Sequence, residues 1–77
     1  MRMYHLLKND DTSVLYEYRY ETNKGPYTGL VEYDKESKSA SLLKPADNER
    51  FPEHAWAYVQ LTLAKKGFPE QYTHTAS

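Results

Sequence analysis

One stretch of strict alternation constrains the fold more than any other feature of this sequence. From Val14 to Glu21, apolar or aromatic residues occupy every second position, and most of the positions between them are charged. A period of two places successive side chains on opposite faces of a β-strand. One face of the predicted strand carries Val14, Tyr16, Tyr18 and Tyr20. The sequence therefore predicts a sheet with one aromatic face and one charged face.

Three further strands are predicted around this one. Residues 22–26 contain Asn, Gly and Pro, which favour a chain reversal, and residues 27–34 then alternate with a matching aromatic and aliphatic face. A short charged loop leads to a weaker strand at residues 39–44, which Pro45 ends. Residues 3–8 form a shorter apolar segment before a polar loop, and we interpret this segment as a strand.

A helix is predicted over residues 51–66. Pro52 fits the first helical position, where its missing N–H costs nothing, and Gly67 is placed for a left-handed C-terminal cap. At a period of 3.6, one stripe contains Pro52, Ala55, Trp56, Val59, Thr62 and Leu63, as in a helix that lies on a sheet. The polar segment 71–77 is predicted to be a frayed tail.

These elements predict an α+β fold in a single domain that spans residues 1–77. Its sheet would be a three- or four-stranded antiparallel β-meander, and its one C-terminal α-helix would pack on one face. A chain of 77 residues has room for one compact core, and a large substrate cavity would compete with that core for apolar side chains.

Composition narrows the classes of function. Without cysteine the chain can form neither a disulfide nor a thiolate metal site, which favours a cytoplasmic location. Ten basic and eleven acidic residues are interspersed and give a net charge of -1, so nucleic acid is a disfavoured partner. The sequence has no apolar run long enough for a signal peptide or a membrane span, and we expect no membrane association.

Several short motifs occur in a familiar order. They are the Tyr-x-Tyr strand that ends at Glu21, the loop to Gly29, Val31-Glu32-Tyr33-Asp34-Lys35, Ala46-Asp47-Asn48-Glu49, His54-Ala55 and Lys66-Gly67-Phe68-Pro69-Glu70. Together they resemble a group of small uncharacterised bacterial proteins that have a β-meander followed by one helix. The resemblance covers most of the chain and implies the same fold, but no activity is assigned to the group. This sequence differs from the group at Pro52, where the resemblance implies an uninterrupted start of the helix.

Candidate chemical groups are few and scattered. Glu53 precedes His54, but adjacent helical residues point about 100° apart, so this pair favours a surface role over general-base catalysis. His5, His54 and His74 lack the short spacings of a metal site. The serines lack the elbow that exposes a nucleophile, and no loop resembles a phosphate cradle. We predict no catalytic residue, metal or cofactor.

The tyrosine ladder permits two interpretations. Tyr16, Tyr18, Tyr20 and Tyr33 could form a stacking surface for single-stranded nucleic acid. They could also form the core beneath the helix. We favour this second interpretation, because the apolar stripe of the helix needs an apolar sheet face to pack on.

Three leucines lie outside the predicted core. Leu15 and Leu30 fall on the charged sheet face, and Leu61 points away from the main helical stripe. They are the predicted protein contacts, together with any unprotected edge strand. The leading functional hypothesis is a non-enzymatic protein-interaction module or a self-associating protein. The alternatives are single-stranded nucleic-acid binding through the tyrosines and a small enzyme that uses His54.

Overall fold

The computed structural model describes residues 2–22, 25–46 and 53–74. In chain order its elements are strands β1 (Arg2–Asn9), β2 (Ser13–Thr22), β3 (Gly25–Asp34) and β4 (Ser39–Lys44), helix α1 (Glu53–Tyr58), a π-helical turn (Val59–Leu63) and strand β5 (Gln71–His74). All four strands predicted from the sequence are present. Residue 51 and Pro52, where the helix is predicted to begin, lie outside the described residues, as do residues 23 and 24 of the predicted reversal. No helix within the described part of the chain is long and apolar enough to cross a membrane.

The strands form one antiparallel sheet in the order β4-β3-β2-β1-β5. The first four strands are a meander, and β5 joins the far edge by pairing with β1, where His74 is opposite Arg2. The α+β class and the antiparallel sheet are confirmed. The predicted strand count of three or four is wrong, because the supposed tail begins with a fifth strand. The helix is consequently followed by a strand and is not C-terminal.

The turn between β1 and β2 is held by one carboxylate. Oδ1 of Asp10 accepts hydrogen bonds from the backbone N–H groups of Thr12 and Ser13, at 2.9 and 2.8 Å. These bonds, first that of Ser13 and then that of Thr12, and the Lys8 ammonium hold the pKa of Asp10 well below its usual range. This local hydrogen bonding favours the reversal that brings the two strands into register.

The inner face of the sheet is formed by the aromatic alternation. In the register of β2 with β3, Val14 is opposite Tyr33, Tyr16 is opposite Val31, and Tyr18 is opposite Gly29. The side chains of Val14, Tyr16, Tyr18 and Val31 are fully buried. The structure thus confirms that the tyrosine face is the core.

The helical segment contributes the other half of that core. Ala55, Val59 and Leu63 are fully buried in the same apolar cluster as the inner sheet residues. Trp56, another residue of the predicted stripe, is only partly buried. Regular helical structure ends at Leu63, earlier than the predicted residue 66. Because Ala64 donates its N–H to the carbonyl of Val59 (3.0 Å), the last turn is wider than an α-helix.

The chain leaves the helical segment through a Schellman motif. Phe68 donates to the carbonyl of Leu63 (3.0 Å) and Gly67 donates to that of Ala64 (3.2 Å). Gly67 has φ 79°, which confirms the predicted left-handed cap, and Phe68 also has positive φ, at 57°. The Phe68 ring packs on Tyr33 with centroids 5.0 Å apart. This contact offsets the backbone strain and directs the chain back across the sheet to β5.

Candidate interaction surfaces

The outer face of the sheet carries two of the predicted contact residues. Leu15 is opposite Glu32 and Glu17 is opposite Leu30, so the two leucines are diagonal neighbours at roughly 7–8 Å, with the two glutamates at the other corners. All four side chains are half-buried by their neighbours. We name this square of two leucines and two glutamates the Leu–Glu patch.

A shallow depression lies beside the Leu–Glu patch. It has a volume of about 270 Å³ and lies over β5, β1 and β2, and its polar lining includes His5, Glu17, Arg19 and Gln71. His5 is exposed and is opposite Glu17 in the register. The depression is a widening of the outer face, and it shares Glu17 with the Leu–Glu patch.

The third predicted contact residue, Leu61, lies elsewhere. It is 61% exposed on the helical segment, which packs against the inner face, so the structure separates it from Leu15 and Leu30. Leu61 borders an apolar groove of about 290 Å³ at the end of the molecule where β5 lies. The groove is lined by Arg2, His54, Ala57, Tyr58, Leu61, Thr62 and His74. We name this feature the helix–β5 groove.

The stacking surface predicted as the alternative is wrong for three of its four tyrosines. Tyr16 and Tyr18 are fully buried and Tyr33 is 8% exposed, because the helical segment covers the inner face. The Tyr16 hydroxyl donates to the carbonyl of Pro69 (2.6 Å), and burial raises its pKa to about 12. The Tyr18 hydroxyl accepts the N–H of Ala46 (2.8 Å). The Tyr16 and Tyr18 rings are therefore part of the core, and their hydroxyl groups form hydrogen bonds with the backbone.

Tyr20 is the remaining member of that set. It is half-buried at the end of β2, and the guanidinium of Arg2 lies over its ring, 5.3 Å from the centroid. A cation already occupies this aromatic face, so a base could stack there only after displacing it.

The three histidines lie on two separate surfaces. His54 and His74 line the helix–β5 groove, whereas His5 lies on the outer face of the sheet. Among the described residues, no three His, Cys, Asp or Glu side chains form a group that could hold a metal ion. His54 is exposed and its ring lies beside apolar groove residues.

Two of the residues that line the helix–β5 groove, Tyr58 and His74, belong to an aromatic stack. The ring of Tyr58 stacks on Tyr4 (5.2 Å, 17°) and on His74 (4.3 Å, 20°). Burial and then the neighbouring hydroxyl of Tyr72 raise the pKa of Tyr58 to about 12. Tyr58 therefore stays neutral at physiological pH and anchors β5 to the rest of the core.

The two edges of the sheet differ in their protection. At the β4 edge, the Gln60 side chain accepts the outward N–H of Ala40 (2.9 Å). A β-bulge interrupts the same strand, since Leu42 pairs with Val31 and Lys44 with Leu30, which leaves Leu43 as the extra residue. A capped amide and a bulge both obstruct the addition of another strand.

The β5 edge is the feature that sequence reasoning missed. Gln71–His74 is only four residues long and mostly polar, so it resembled a frayed end. Its alternation of Gln, Tyr, Thr and His was the available signal, because Tyr72 and His74 share the face that contacts Tyr58.

Comparisons of the chain with protein-family models, with curated proteins and with solved structures found no match. The resemblance to small bacterial β-meander proteins therefore stays a prediction.

Proposed function

We propose that this chain is a non-enzymatic protein-binding domain and that the Leu–Glu patch is its contact surface. The supporting observation is the one-sided covering of the sheet. Helical residues pack on the inner face only, and no described side chain on the outer face is buried. A sheet face with neighbouring leucines that the described residues leave partly exposed is a site where a partner gains apolar burial.

The charges of the patch indicate the chemistry of the partner. Glu17 and Glu32 are half-buried carboxylates on either side of the leucine pair. A complementary protein surface would offer one or two apolar side chains flanked by lysine or arginine groups. The apolar contact supplies affinity, while the charge pairs select the partner and its orientation.

The test is affinity capture from the native extract with three forms of the protein. The first is the wild type, the second is Leu15→Arg/Leu30→Arg, and the third is the control Thr28→Arg. Thr28 is exposed on the same face, opposite Arg19, so its variant adds a positive charge outside the patch. Captured protein and captured nucleic acid are both identified.

The expected result is one protein retained by the wild type and the control and lost from the double variant. With that partner purified, we expect the double variant to bind at least about tenfold more weakly, because it removes apolar burial and adds charge at the centre of the contact. Equal capture by all three forms, or recovery of RNA or DNA alone, would contradict the proposal.

A further inference from the structure

The outer edge of β5 has backbone groups directed away from the sheet. Leu6 donates its N–H to the carbonyl of Glu70 (2.8 Å), and the register of β1 with β5 continues to Tyr4 opposite Tyr72 and Arg2 opposite His74. Hydrogen-bonded pairs alternate along an antiparallel ladder, so Tyr72 and His74 bond inward to β1. Gln71 and Thr73 must then direct their N–H and C=O groups outward.

Among the described residues, this edge lacks the devices that protect the opposite edge. β5 is the last strand of the sheet in the described part of the chain, and its register with β1 has no bulge. Gln71 and Thr73 themselves are exposed. Two outward-facing residues at a spacing of two are the minimal template for adding a strand.

A second copy of β5 is complementary to the first. In the antiparallel register with Tyr72 opposite Tyr72 of the second copy, Gln71 pairs with Thr73 of the other chain at both ends. These are the outward-facing residues, and together they can form about four main-chain hydrogen bonds. On the inner face, His74 of each chain lies opposite Glu70 of the other. Aromatic pairs are favourable at cross-strand positions, and an imidazole N–H can donate a hydrogen bond to a carboxylate.

The helix–β5 groove strengthens this match. His74 is one of its lining residues, and Arg2 and His54 add two more basic side chains nearby. The exposed carboxylate of Glu70 from the second copy would enter this surface, and its CH₂ groups would lie on the apolar lining beside Leu61. The groove therefore offers the imidazole of His74 as a hydrogen-bond partner at the position where the second chain supplies a carboxylate.

We infer that this chain forms a two-fold symmetric dimer through the outer edge of β5, which joins two sheets into one continuous sheet. The contact is isologous, so each chain gives and receives the same interactions. It uses a different surface from the Leu–Glu patch, which stays open in the dimer.

Thr73→Pro is the direct test. Proline removes the outward N–H and blocks the added strand, yet an edge strand tolerates it because that N–H has no partner within the sheet. In sedimentation experiments over a concentration series up to millimolar, we expect the wild type to dimerise and Thr73→Pro to remain a folded monomer. The matched control Thr73→Val keeps the N–H and should dimerise like the wild type. A monomeric wild type, or a Thr73→Pro protein that dimerises equally, would overturn the inference.

A charge reversal keeps the inference testable if the proline variant fails to fold. Glu70→Arg places a cation opposite His74 in both symmetry-related pairs, and we expect the dimer to dissociate about tenfold more readily. Glu36→Arg makes the same charge change in the exposed turn after β3 and should leave the dimer unchanged. Equal effects of the two variants would show that net charge, not this edge, controls association.

Hydrogen exchange locates the contact without mutation. The amides of Gln71 and Thr73 should exchange more slowly as the protein concentration rises, while those of the exposed turn at residues 36–38 should not change. Rapid, concentration-independent exchange at Gln71 and Thr73 in a dimeric sample would place the interface elsewhere.

Leu15→Arg/Leu30→Arg should leave dimerisation intact, which separates this inference from the proposed function.

Discussion

The two faces of the sheet are made by the same strands and yet differ in what each side chain contributes. On the inner face, successive residues of β2 such as Tyr16 and Tyr18 are fully buried and have hydrogen bonds to the chain around them. On the outer face, the intervening residues Leu15 and Glu17 are only half-buried. The difference shows that a single alternating segment can determine the core with one half of its residues and leave the other half available for a partner.

The largest effect is expected from Tyr18→Ala. The substitution removes a fully buried ring and the acceptor of the Ala46 N–H, and we expect the free energy of unfolding to fall by about 3–5 kcal/mol. Urea denaturation measures it. The adjacent outer-face change Arg19→Ala is the comparison and should cost far less. Equal losses would contradict the distinction between the two faces.

A smaller effect is expected from adding one methyl group to the inner face. A Cβ at Gly29 would lie 2.5 Å from both the Lys44 carbonyl oxygen and the Tyr18 ring. We expect Gly29→Ala to destabilise the fold by about 1–3 kcal/mol, since the backbone or the ring must move. Thermal unfolding beside the outer-face variant Thr28→Ala provides the comparison. An unchanged unfolding temperature for Gly29→Ala would mean that the Tyr18 ring can shift freely.

Tyr16→Phe tests the hydroxyl alone. It leaves the Pro69 carbonyl without its donor and should cost about 1 kcal/mol at neutral pH. Because the folded-state pKa of Tyr16 is raised from 10 to about 12, its neutral form stabilises the fold below pH 10, and this contribution is lost as the pH rises from about 10 to 12.

Denaturation at successive alkaline pH values measures the expected loss of stability between about pH 10 and 12. The wild type should lose more stability than Tyr16→Phe across this window, and Tyr58, whose pKa is also raised, should account for a remaining loss in both proteins. Parallel pH profiles would show that the Tyr16 hydroxyl ionises as easily in the folded chain as in the unfolded one.

The smallest effect is expected on the outer face. Leu30→Ala should change the free energy of unfolding by about 0.5–1 kcal/mol, because its side chain is already half-exposed. The same variant should nevertheless weaken partner binding if the Leu–Glu patch is the contact surface. A large loss of stability without a binding defect would show that Leu30 contributes to folding and not to partner binding.

The sequence could predict those parts of the fold that depend on local pattern. The strict alternation from Val14 to Glu21 was sufficient for β2, and Gly67 after a helical stripe was sufficient for the cap. The alternation at residues 71–74 is too short to predict β5 by itself, because these four residues become a strand only through pairing with β1, about seventy residues earlier in the chain.

The candidate contact residues were likewise predictable only where they depend on local pattern. The outward position of Leu15 and Leu30 could be predicted from the alternation. Their diagonal placement depends on the register of β2 with β3, which the alternation does not specify. The exposed side chains of Leu7 and Leu43 were not predicted. Each is the extra residue at an interruption of the strand register, and no periodic pattern indicates such a position.

The pairing of β1 with β5 has a consequence for how the molecule resists force. Arg2 and His74 are opposite each other at the same end of an antiparallel pair. A pull applied between these two residues acts across the strands, so the inter-strand bonds break one after another and never share the load. Under tension in that direction the domain would open like a zipper at low force, and β5 would detach before any strand of the meander.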